Sequence, residues 1–395
     1  MSGKTGAKTH DVIVIGAGPA GLSLALSLAA LDLRVAVIER QPREALAAPA
    51  DDGREIALTH GSMRILRALG AAQGWSVSEI SPIRAARVYN GRSARFLDFH
   101  SQAGDSGPLG YLVANHCIRR ELYRCAASRA GIELLFNRRV LSCRAEPRQV
   151  AVETDADGAL RAALLVAADS RHSETRRAMG IGALAHDFGK TMLVTRVAHS
   201  RPHQGVAMEW FDFGRTIATL PLCGRQSSLI LTLPGFEAER LAAAEPAALE
   251  ARLNQWLDGR LGELHLTCGV HRYPLVAVYA RRFVGPRFAL VGDAAVGMHP
   301  VTAHGFNFGL CSQKLLAETL AEERRAGGEL GSDAALARYE RAHLRRTWPL
   351  YQATNAIATL YALDAPPARA LRSLMLGLGE RVAPLKRAIV RELRS

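Results

Sequence analysis

Three glycines near the N-terminus stand at the spacing of a phosphate-binding turn. Gly16, Gly18 and Gly21 form a GxGxxG pattern between the β-branched run at 12–15 and an apolar run of helical length. The first glycine permits a sharp turn, the second lets a pyrophosphate approach the backbone, and the third lets helix and strand pack closely. The helix would direct free N–H groups and its positive dipole end at the phosphates. The pattern predicts a strand–turn–helix unit that binds an adenine dinucleotide.

A carboxylate follows at the distance that such a unit requires. Glu39 ends the run RVAVIE, 18 residues past Gly21, and Arg40 comes directly after it. An acid at this position typically accepts hydrogen bonds from ribose hydroxyls. These residues favour binding of the adenosine half but do not separate FAD from NAD.

A second carboxylate lies in the segment RFALVGDAAVGMHPVTAHGFNFGL, residues 287–310. Asp293 follows an apolar strand, and a helical run begins near Gly305 and continues through Phe306 and Asn307. Open α/β sheets bind ligands at the carboxyl ends of their strands. A carboxylate beside a ribityl chain, with a helix N-terminus directed at an isoalloxazine ring, would hold a flavin and stabilise its reduced anion. This segment therefore favours FAD.

The same segment resembles the GD motif of the flavoprotein aromatic hydroxylases, in which the acid contacts the FAD ribityl chain. The run LLVAADSRHSETRRAMGI, residues 164–181, resembles the internal DG motif of that family. It carries Asp169, Ser173 and Arg176 on matching positions. The resemblance implies that this motif contributes to FAD and NAD(P)H binding.

Two further stretches extend the resemblance. Residues 52–70 resemble the family segment whose arginine contacts the FAD pyrophosphate, and that arginine corresponds to Arg54. Residues 110–126 resemble the family's strand and helix beside the flavin, in which Asn115 and Arg119 occupy the matching positions. Within the family, the chain most resembles the ubiquinone-biosynthesis hydroxylases, and the segment GDAAVGMHPVTAHGFN most resembles their UbiM branch.

The chain also departs from the family pattern. Ser170 stands where the DG motif has glycine, so we expect that the backbone there does not freely adopt a positive φ. Ala303-His304-Gly305 replaces the usual Gly-Gln-Gly loop. His299 and His304 could accept a phenolic proton, or they could hydrogen-bond the loop in place of the glutamine, which is the interpretation we prefer. The catalytic base stays unassigned.

The order of the predicted strands and helices that must position these residues indicates an α/β fold with three parts. We expect a discontinuous Rossmann-like FAD-binding domain, a mixed or antiparallel-sheet substrate domain and a C-terminal helical segment. The middle of the chain shows short alternating runs, interrupted by one helical insert, ERLAAAEPAALEARLNQWL. The predicted boundaries are 1–75, 101–182 and 286–331 for the first part, 76–100 and 183–285 for the second, and 332–395 for the third.

Composition narrows the class of protein. The 395 residues are 48% hydrophobic and carry a net charge of +13, which fits a globular chain with an anionic partner. Basic residues are spread along the chain and aromatics are only 6%, so nucleic-acid binding is not expected. Six scattered cysteines without metal-ligand spacing predict neither disulfides nor a metal site, and favour the cytoplasm.

Two segments bear on membranes. Residues 12–31 run without a charge for about the length of a membrane span, but the glycines and the proline of the turn favour a soluble fold. Residues 366–395 are strongly basic, with an apolar face formed by Leu371, Leu374, Met375 and Leu378. This segment could lie on an anionic membrane near the inner-membrane surface, or it could pack on the core with a solvated basic face.

The resemblance implies an FAD-dependent monooxygenase. NAD(P)H or another donor would reduce FAD, molecular oxygen would add to the flavin, and the flavin hydroperoxide would hydroxylate a lipophilic polyprenyl phenol in ubiquinone biosynthesis. Two alternatives stay open: hydroxylation of a soluble phenol, and a non-catalytic FAD-binding protein within a biosynthetic complex.

Overall fold

The computed structural model describes residues 9–91, 96–100, 107–156, 158–212, 214–300 and 304–362. Elements are numbered in chain order. The strands are β1 Thr9–Ile15, β2 Val35–Ile38, β3 Glu55–Leu58, β4 Ser81–Ile83, β5 Ala85–Asn90, β6 Phe96–His100, β7 Gly110–Ala114, β8 Ile132–Leu135, β9 Val140–Ala145, β10 Val150–Thr154, β11 Leu160–Ala167, β12 Ala183–His199, β13 Val206–Asp212, β14 Arg215–Pro221, β15 Gln226–Pro234, β16 Leu264–Leu266, β17 His271–Ala280, β18 Val284–Gly285, β19 Phe288–Leu290 and β20 Val296–Gly297. The α-helices are α1 Pro19–Ala29, α2 Arg43–Ala47, α3 His60–Ala68, α4 Asn115–Ala127, α5 Glu174–Ala178, α6 Gly235–Ala242, α7 Pro246–Leu257, α8 Gly305–Arg325 and α9 Asp333–Ala362, and short 3-10 helices span Ala72–Gly74, Val77–Glu79 and Gly292–Ala294.

The first sheet carries the parallel strands that place the predicted cofactor residues. Its order is β18-β19-β11-β1-β2-β8, with β10 and β9 added beside β11. Strand β1 pairs in parallel with β2 and β11, and β11 pairs in parallel with β19. The apolar residues of β1 and β2 are buried, and α1 packs against both strands. The carboxyl ends of β1, β2, β11 and β19 therefore meet at one edge.

The second sheet is larger and mostly antiparallel. Its order is β20-β17-β12-β15-β14-β13-β5-β6, with β16 beside β12. Its outer face packs against α6 and α7 through Trp210, Leu231 and Leu253, among others. The predicted α/β fold with a mixed second sheet is confirmed. The domain boundaries stay a prediction, and we propose this sheet as the cover over the substrate.

The helical insert of this sheet differs from its prediction. The run from 239 to 257 was expected as one helix, but α6 ends at Ala242 and α7 begins at Pro246. Proline at the first helical position lacks the N–H that would continue α6, and its ring clashes with a preceding turn. Pro246 therefore divides the insert in two.

The last described helix braces the strand that leads to Asp293. The buried Tyr339 hydroxyl of α9 donates to the Leu290 carbonyl oxygen at 2.6 Å, and the Phe283 N–H donates to the Glu340 carboxylate at 2.7 Å. The basic segment 366–395 lies outside the described residues.

The uncharged stretch 12–31 forms most of β1, the glycine turn and α1. Across the described part of the chain, no helix combines the length and apolar character that crossing a membrane requires.

Candidate functional site

The glycine turn is shaped for a ligand rather than for side chains. Gly16 has a φ of 101°, and a Cβ there would lie 2.6 Å from the Ala168 carbonyl oxygen. A Cβ on Gly21 would lie 2.0 Å from the Gly16 carbonyl oxygen, whereas a Cβ on Gly18 would meet nothing within 4 Å. Gly16 and Gly21 are thus required for packing. Gly18 instead faces open space at the N-terminus of α1.

Glu39 is bound to the backbone of this turn. Its Oε2 accepts a hydrogen bond from the Ala17 N–H at 2.8 Å, and its Oε1 accepts one from the Gln41 N–H at 2.9 Å. The carboxylate is partly exposed at the cavity wall, and Arg40 beside it is exposed. Each carboxylate oxygen has further lone pairs for ribose hydroxyls.

Asp169 follows β11 at the same sheet edge. Its Oδ2 accepts a hydrogen bond from the Thr175 N–H at 3.1 Å. Its Oδ1 is buried and has no hydrogen-bond partner among the described residues. A buried carboxylate oxygen without a donor is costly, so this atom fits a hydroxyl or N–H of a bound cofactor.

The next residue corrects an expectation. Ser170 adopts a φ of 85°, although a side chain disfavours this region by about 1–2 kcal/mol. The turn thus keeps the backbone that the glycine of a DG motif would give. The surrounding contacts, rather than the residue type, impose it.

Arg176 joins the two downstream motifs. Ser173 caps α5 by accepting from the Arg176 N–H at 2.9 Å. The buried Arg176 guanidinium then donates to the Ala294 carbonyl oxygen at 2.9 Å and to the Arg171 carbonyl oxygen at 3.2 Å. Both residues therefore act as structural supports that fix the segment around 169–176 against the loop after β19.

Asp293 lies directly after β19, within a 3-10 turn that starts at Gly292. Its Oδ2 is 3.4 Å from Arg171 Nη2, and Arg171 Nη1 donates to the Val276 carbonyl oxygen at 3.0 Å. The Asp293 side chain is 38% exposed and lines the cavity. It is an oriented carboxylate with lone pairs open to a ligand.

Arg54 belongs to a cluster of side chains from three segments of the chain, formed with Asp52, Asn115 and Tyr273. Its guanidinium binds the Asp52 carboxylate at 2.6 Å and stacks on the Tyr273 ring at 5.2 Å from the centroid. Asn115 donates to the same Asp52 oxygen at 2.7 Å. Burial lowers the pKa of Arg54, but the hydrogen bond and charge of Asp52 outweigh it and hold the pKa above its ordinary value. Arg54 is a fixed cation at the cavity wall.

Helix α8 begins at the wall of the cavity. Gly305 opens it, Phe306 lines the cavity, and Asn307 fastens its first turn to β3 and the residue after it. The Asn307 side chain donates to the Ala57 carbonyl oxygen at 2.9 Å and accepts from the Thr59 N–H at 3.1 Å. Asn307 therefore positions the helix N-terminus.

Both histidines of this loop line the cavity. The His299 ring lies edge-on to Phe188 at 4.5 Å, and the His304 ring is 5.9 Å from Phe308. Burial, with smaller effects of Lys190 and His186, lowers the pKa of His299 to about 4, so its imidazole is neutral at pH 7. The catalytic and the loop-supporting interpretations both stay predictions.

A single cavity of about 1850 Å³ connects these residues. All twelve predicted cofactor residues except Gly21, which packs behind the turn, line it: Gly16, Gly18, Glu39, Arg40, Arg54, Arg119, Asp169, Asp293, Gly305, Phe306 and Asn307. The cavity continues under the second sheet, where its wall is mostly apolar.

Comparison with known proteins decides the family. Residues 9–354 match the family described as FAD binding domain. The chain is 42% identical to ubiquinone hydroxylase UbiM of Neisseria meningitidis, over 97% of this chain and 84% of that one. It is 35% identical to ubiquinone hydroxylase UbiL of Rhodospirillum rubrum, over 97% and 89%.

The chain belongs to the FAD-dependent hydroxylase family of UbiM and UbiL. The fold agrees: p-nitrophenol 4-monooxygenase PnpA from Pseudomonas putida superposes with a TM-score of 0.79 at 18% identity, covering 98% of this chain and 99% of that one. The protein is therefore an FAD-dependent monooxygenase.

The site fits the cofactor of this hydroxylase family. The space beside Gly18, the unpartnered Asp169 oxygen and the uncapped N-terminus of α1 suit hydroxyl and phosphate groups. Arg40, Arg54 and Arg119 supply positive charge along the same wall. We propose that the twelve predicted residues hold FAD.

Sequence reasoning missed several hydroxylase residues that line the cavity. Arg171 stands two positions after Asp169, inside the DG-like run, and could have been noticed there. Arg138 and Arg139 form a basic pair just beyond the carboxyl end of β8. Glu209 was visible as an acid within the apolar run VAMEWF. Tyr273 carried no sequence signal.

Proposed function

We propose that this protein hydroxylates the aromatic ring of a polyprenyl phenol during ubiquinone biosynthesis. The observation that supports this proposal most is that one cavity runs from the proposed FAD-binding residues to an apolar compartment under the second sheet. Relatives named ubiquinone hydroxylase and 3-demethoxyubiquinol 3-hydroxylase support this substrate class. NAD(P)H is the proposed electron donor and molecular oxygen the co-substrate.

The apolar compartment suits a lipophilic ring. Leu97, Phe99, Met192, Val194 and Ile230 are among its lining side chains. Apolar walls stabilise a prenylated ring by removing its surface from water, at about 25 cal/mol per Å². They also exclude water from the reacting atoms, which strengthens the electrostatic interactions there.

The chain's own contribution is orientation and charge. When bound, FAD supplies the electron transfer and the activation of oxygen. Asp293 would accept hydrogen bonds from ribityl hydroxyls, and the N-terminus of α8 would favour negative charge on the reduced ring. Arg54, fixed by Asp52, would neutralise pyrophosphate charge. The second sheet would hold the substrate ring over the flavin.

The decisive experiment is complementation. The gene is expressed in bacteria that lack each ubiquinone ring hydroxylase in turn, with lipid analysis of quinones and accumulated precursors. We expect restored quinone synthesis in at least one strain, and the Asp293→Ala variant serves as the impaired control. Failure in every strain, together with turnover of soluble phenols by the purified protein, would overturn the polyprenyl assignment.

We extend the proposal to a peripheral contact with the inner membrane, because a polyprenyl chain partitions into lipid. The contact would use the basic segment 366–395. Flotation with vesicles that contain anionic lipid should recover the full chain, less so at high salt, and deletion of this segment should reduce recovery. Equal flotation with neutral vesicles would contradict the contact.

A further inference from the structure

One acidic side chain faces the apolar compartment. Glu209 lies on β13 of the second sheet and lines the cavity. Side chains alternate across a strand, so Glu209 shares its face with Ala207 and Phe211, which also line the cavity. Trp210, between them in sequence, packs on the opposite face among the residues under α6 and α7.

The strand register surrounds this carboxyl group with apolar neighbours. Glu209 pairs with Val88 of β5 on one side and Ala218 of β14 on the other. Ala218 pairs with Ile230, and Ile230 with Val194. All five residues line the cavity, so a row across five strands presents one carboxyl group in an otherwise apolar wall.

No described basic residue neutralises Glu209. Arg87 of β5 also lines the cavity, but it is one position away from Val88, the residue paired with Glu209, and its guanidinium approaches Asp98 at 3.5 Å and stacks on Phe96. Arg215 of β14 stacks on Trp256 of α7. The other ionisable lining groups, such as Arg54, Tyr273 and His299, belong to the flavin end. Glu209 is partly exposed and lines the cavity. A carboxyl group that faces an apolar space without a partner in the described chain is poorly solvated, and its placement fits a polar group of a ligand.

Resting on the proposed function, we propose that Glu209 binds the phenolic hydroxyl of the substrate and accepts its proton during hydroxylation. The O–H bond breaks, the proton moves to the Glu209 carboxylate, and the electron pair enters the ring. The ring carbon, thereby more nucleophilic, forms the new C–O bond with one atom of molecular oxygen as the O–O bond breaks, and the other oxygen atom leaves as water. The two electrons that this step consumes come from NAD(P)H through reduced FAD. Loss of the ring hydrogen as a proton restores aromaticity, and Glu209 returns its proton to the phenolate oxygen.

The electrostatics agree with this role. Burial raises the pKa of Glu209 to about 8, closer than an ordinary carboxyl to the phenol value of about 10. A base whose pKa lies near the working pH is an efficient acceptor. Because the carboxylate is the active form, kcat/KM should rise as pH increases through the pKa of Glu209.

The test compares three variants of the FAD-loaded enzyme. Glu209→Gln keeps the shape of the side chain but removes the base. Glu209→Asp keeps the carboxylate on a side chain one methylene shorter. Glu239→Gln removes an exposed charge from α6 and is the matched control. For Glu209→Gln we expect a fall in kcat of about 10²–10⁴-fold and loss of the pH-dependent rise. Glu209→Asp should keep that rise at a lower rate. FAD occupancy and thermal unfolding should match the parent throughout.

Binding supplies a readout independent of turnover. The probes are 2-farnesylphenol and its methyl ether, followed by flavin fluorescence. Above the pKa of Glu209, the parent should prefer the phenol about tenfold, as expected for a hydrogen bond to a charged group. Glu209→Gln, whose neutral amide oxygen is a weaker acceptor, should discriminate less. If the parent binds with this preference but forms no product, the proposed function fails while the role of Glu209 in binding the phenolic hydroxyl stands. Parent-like discrimination and an unchanged pH profile in Glu209→Gln would overturn the assignment.

Discussion

Two carboxylates divide the cofactor site at the scale of single residues. Glu39 contacts the backbone of the glycine turn, where the adenosine half would bind. Asp293 is ion-paired with Arg171 at the end of β19, where the ribityl chain would pass. Because the two acids would contact different parts of FAD, their variants should differ in response to ADP, which contains only the adenosine half.

For Asp293, replacement by Ala removes an acceptor for ribityl hydroxyls. A hydrogen bond to a charged group contributes about 1.5–3 kcal/mol, so the FAD dissociation constant should rise about tenfold to a hundredfold. Equilibrium dialysis with FAD, and competition by ADP, provide the measurement. Asp293→Asn should lie between parent and Ala, and ADP affinity should not change. Unaltered FAD binding would remove Asp293 from the site.

For Glu39, replacement by Ala removes the ribose acceptor and releases the Ala17 and Gln41 N–H groups. We expect both FAD and ADP to bind about tenfold more weakly, the effect of about 1.4 kcal/mol. The same dialysis and competition experiments measure it. Glu44→Ala, which changes an exposed acid on the neighbouring helix, is the control. A loss confined to FAD would contradict the ribose contact.

At the scale of elements, the glycine turn contains one glycine that packing requires, Gly21, and one that faces open space where a ligand would bind, Gly18. A Cβ at Gly18 meets no protein atom within 4 Å, and the φ of −72° suits alanine. A Cβ at Gly21 would collide with the Gly16 carbonyl oxygen at 2.0 Å. The two positions therefore fail in different ways when a methyl group is added.

Gly18→Ala should leave the free energy of unfolding of the FAD-free protein close to the parent value while it weakens FAD binding. Gly21→Ala should lower that free energy by about 1–3 kcal/mol, the usual cost of overpacking. Urea unfolding without FAD and dialysis with FAD measure the two effects. A Gly18→Ala protein that binds FAD like the parent would mean that the pyrophosphate does not approach this turn.

Local elements were predictable from sequence, and contacts between distant elements were not. The turn at Gly16, the strand before Asp293 and the start of α8 each depend on residues that are close in the chain. The contacts of Arg171 with Asp293 and of Asn307 with Thr59 depend on tertiary packing, and local patterns carry no information about them. Ser170 shows the same limit, because neighbours impose its φ.

The pairing register of the strands in the second sheet could not be predicted from the sequence either. Once Val206–Asp212 is known to be a strand, alternation places Glu209 on the same face as Ala207. It does not reveal that Val88 and Ala218 flank that carboxyl group, or that the face lines a cavity. The functional meaning of Glu209 thus emerged only with the sheet.

At the scale of the whole molecule, α9 encloses a titratable group. His343 stacks on Tyr339 and packs against Phe283 beneath the end of the first sheet, and its side chain is buried. Burial lowers its pKa to about 3, so the folded protein keeps this imidazole neutral where the unfolded chain would protonate it.

Acid should therefore destabilise the fold through His343. The unfolded chain takes up a proton below about pH 6.5 whereas the folded one does not until near its lowered pKa, so stability falls by up to about 1.4 kcal/mol per pH unit between these limits. His343→Leu should lose about 2–3 kcal/mol less than the parent between pH 7 and pH 4.5. Urea unfolding at several pH values measures this. The exposed His265→Gln variant should follow the parent, and parallel curves for His343→Leu would contradict the prediction.

The hydrogen bond from Arg176 to the Ala294 carbonyl oxygen has a consequence for biogenesis. It joins positions 118 residues apart, and a ribosome adding about 5–20 residues per second needs on the order of ten seconds to synthesise that interval. During translation, the glycine turn emerges long before the loop that carries Asp293. The nascent chain can thus form its first βαβ unit early, but the complete FAD site exists only after most of the chain has left the ribosome.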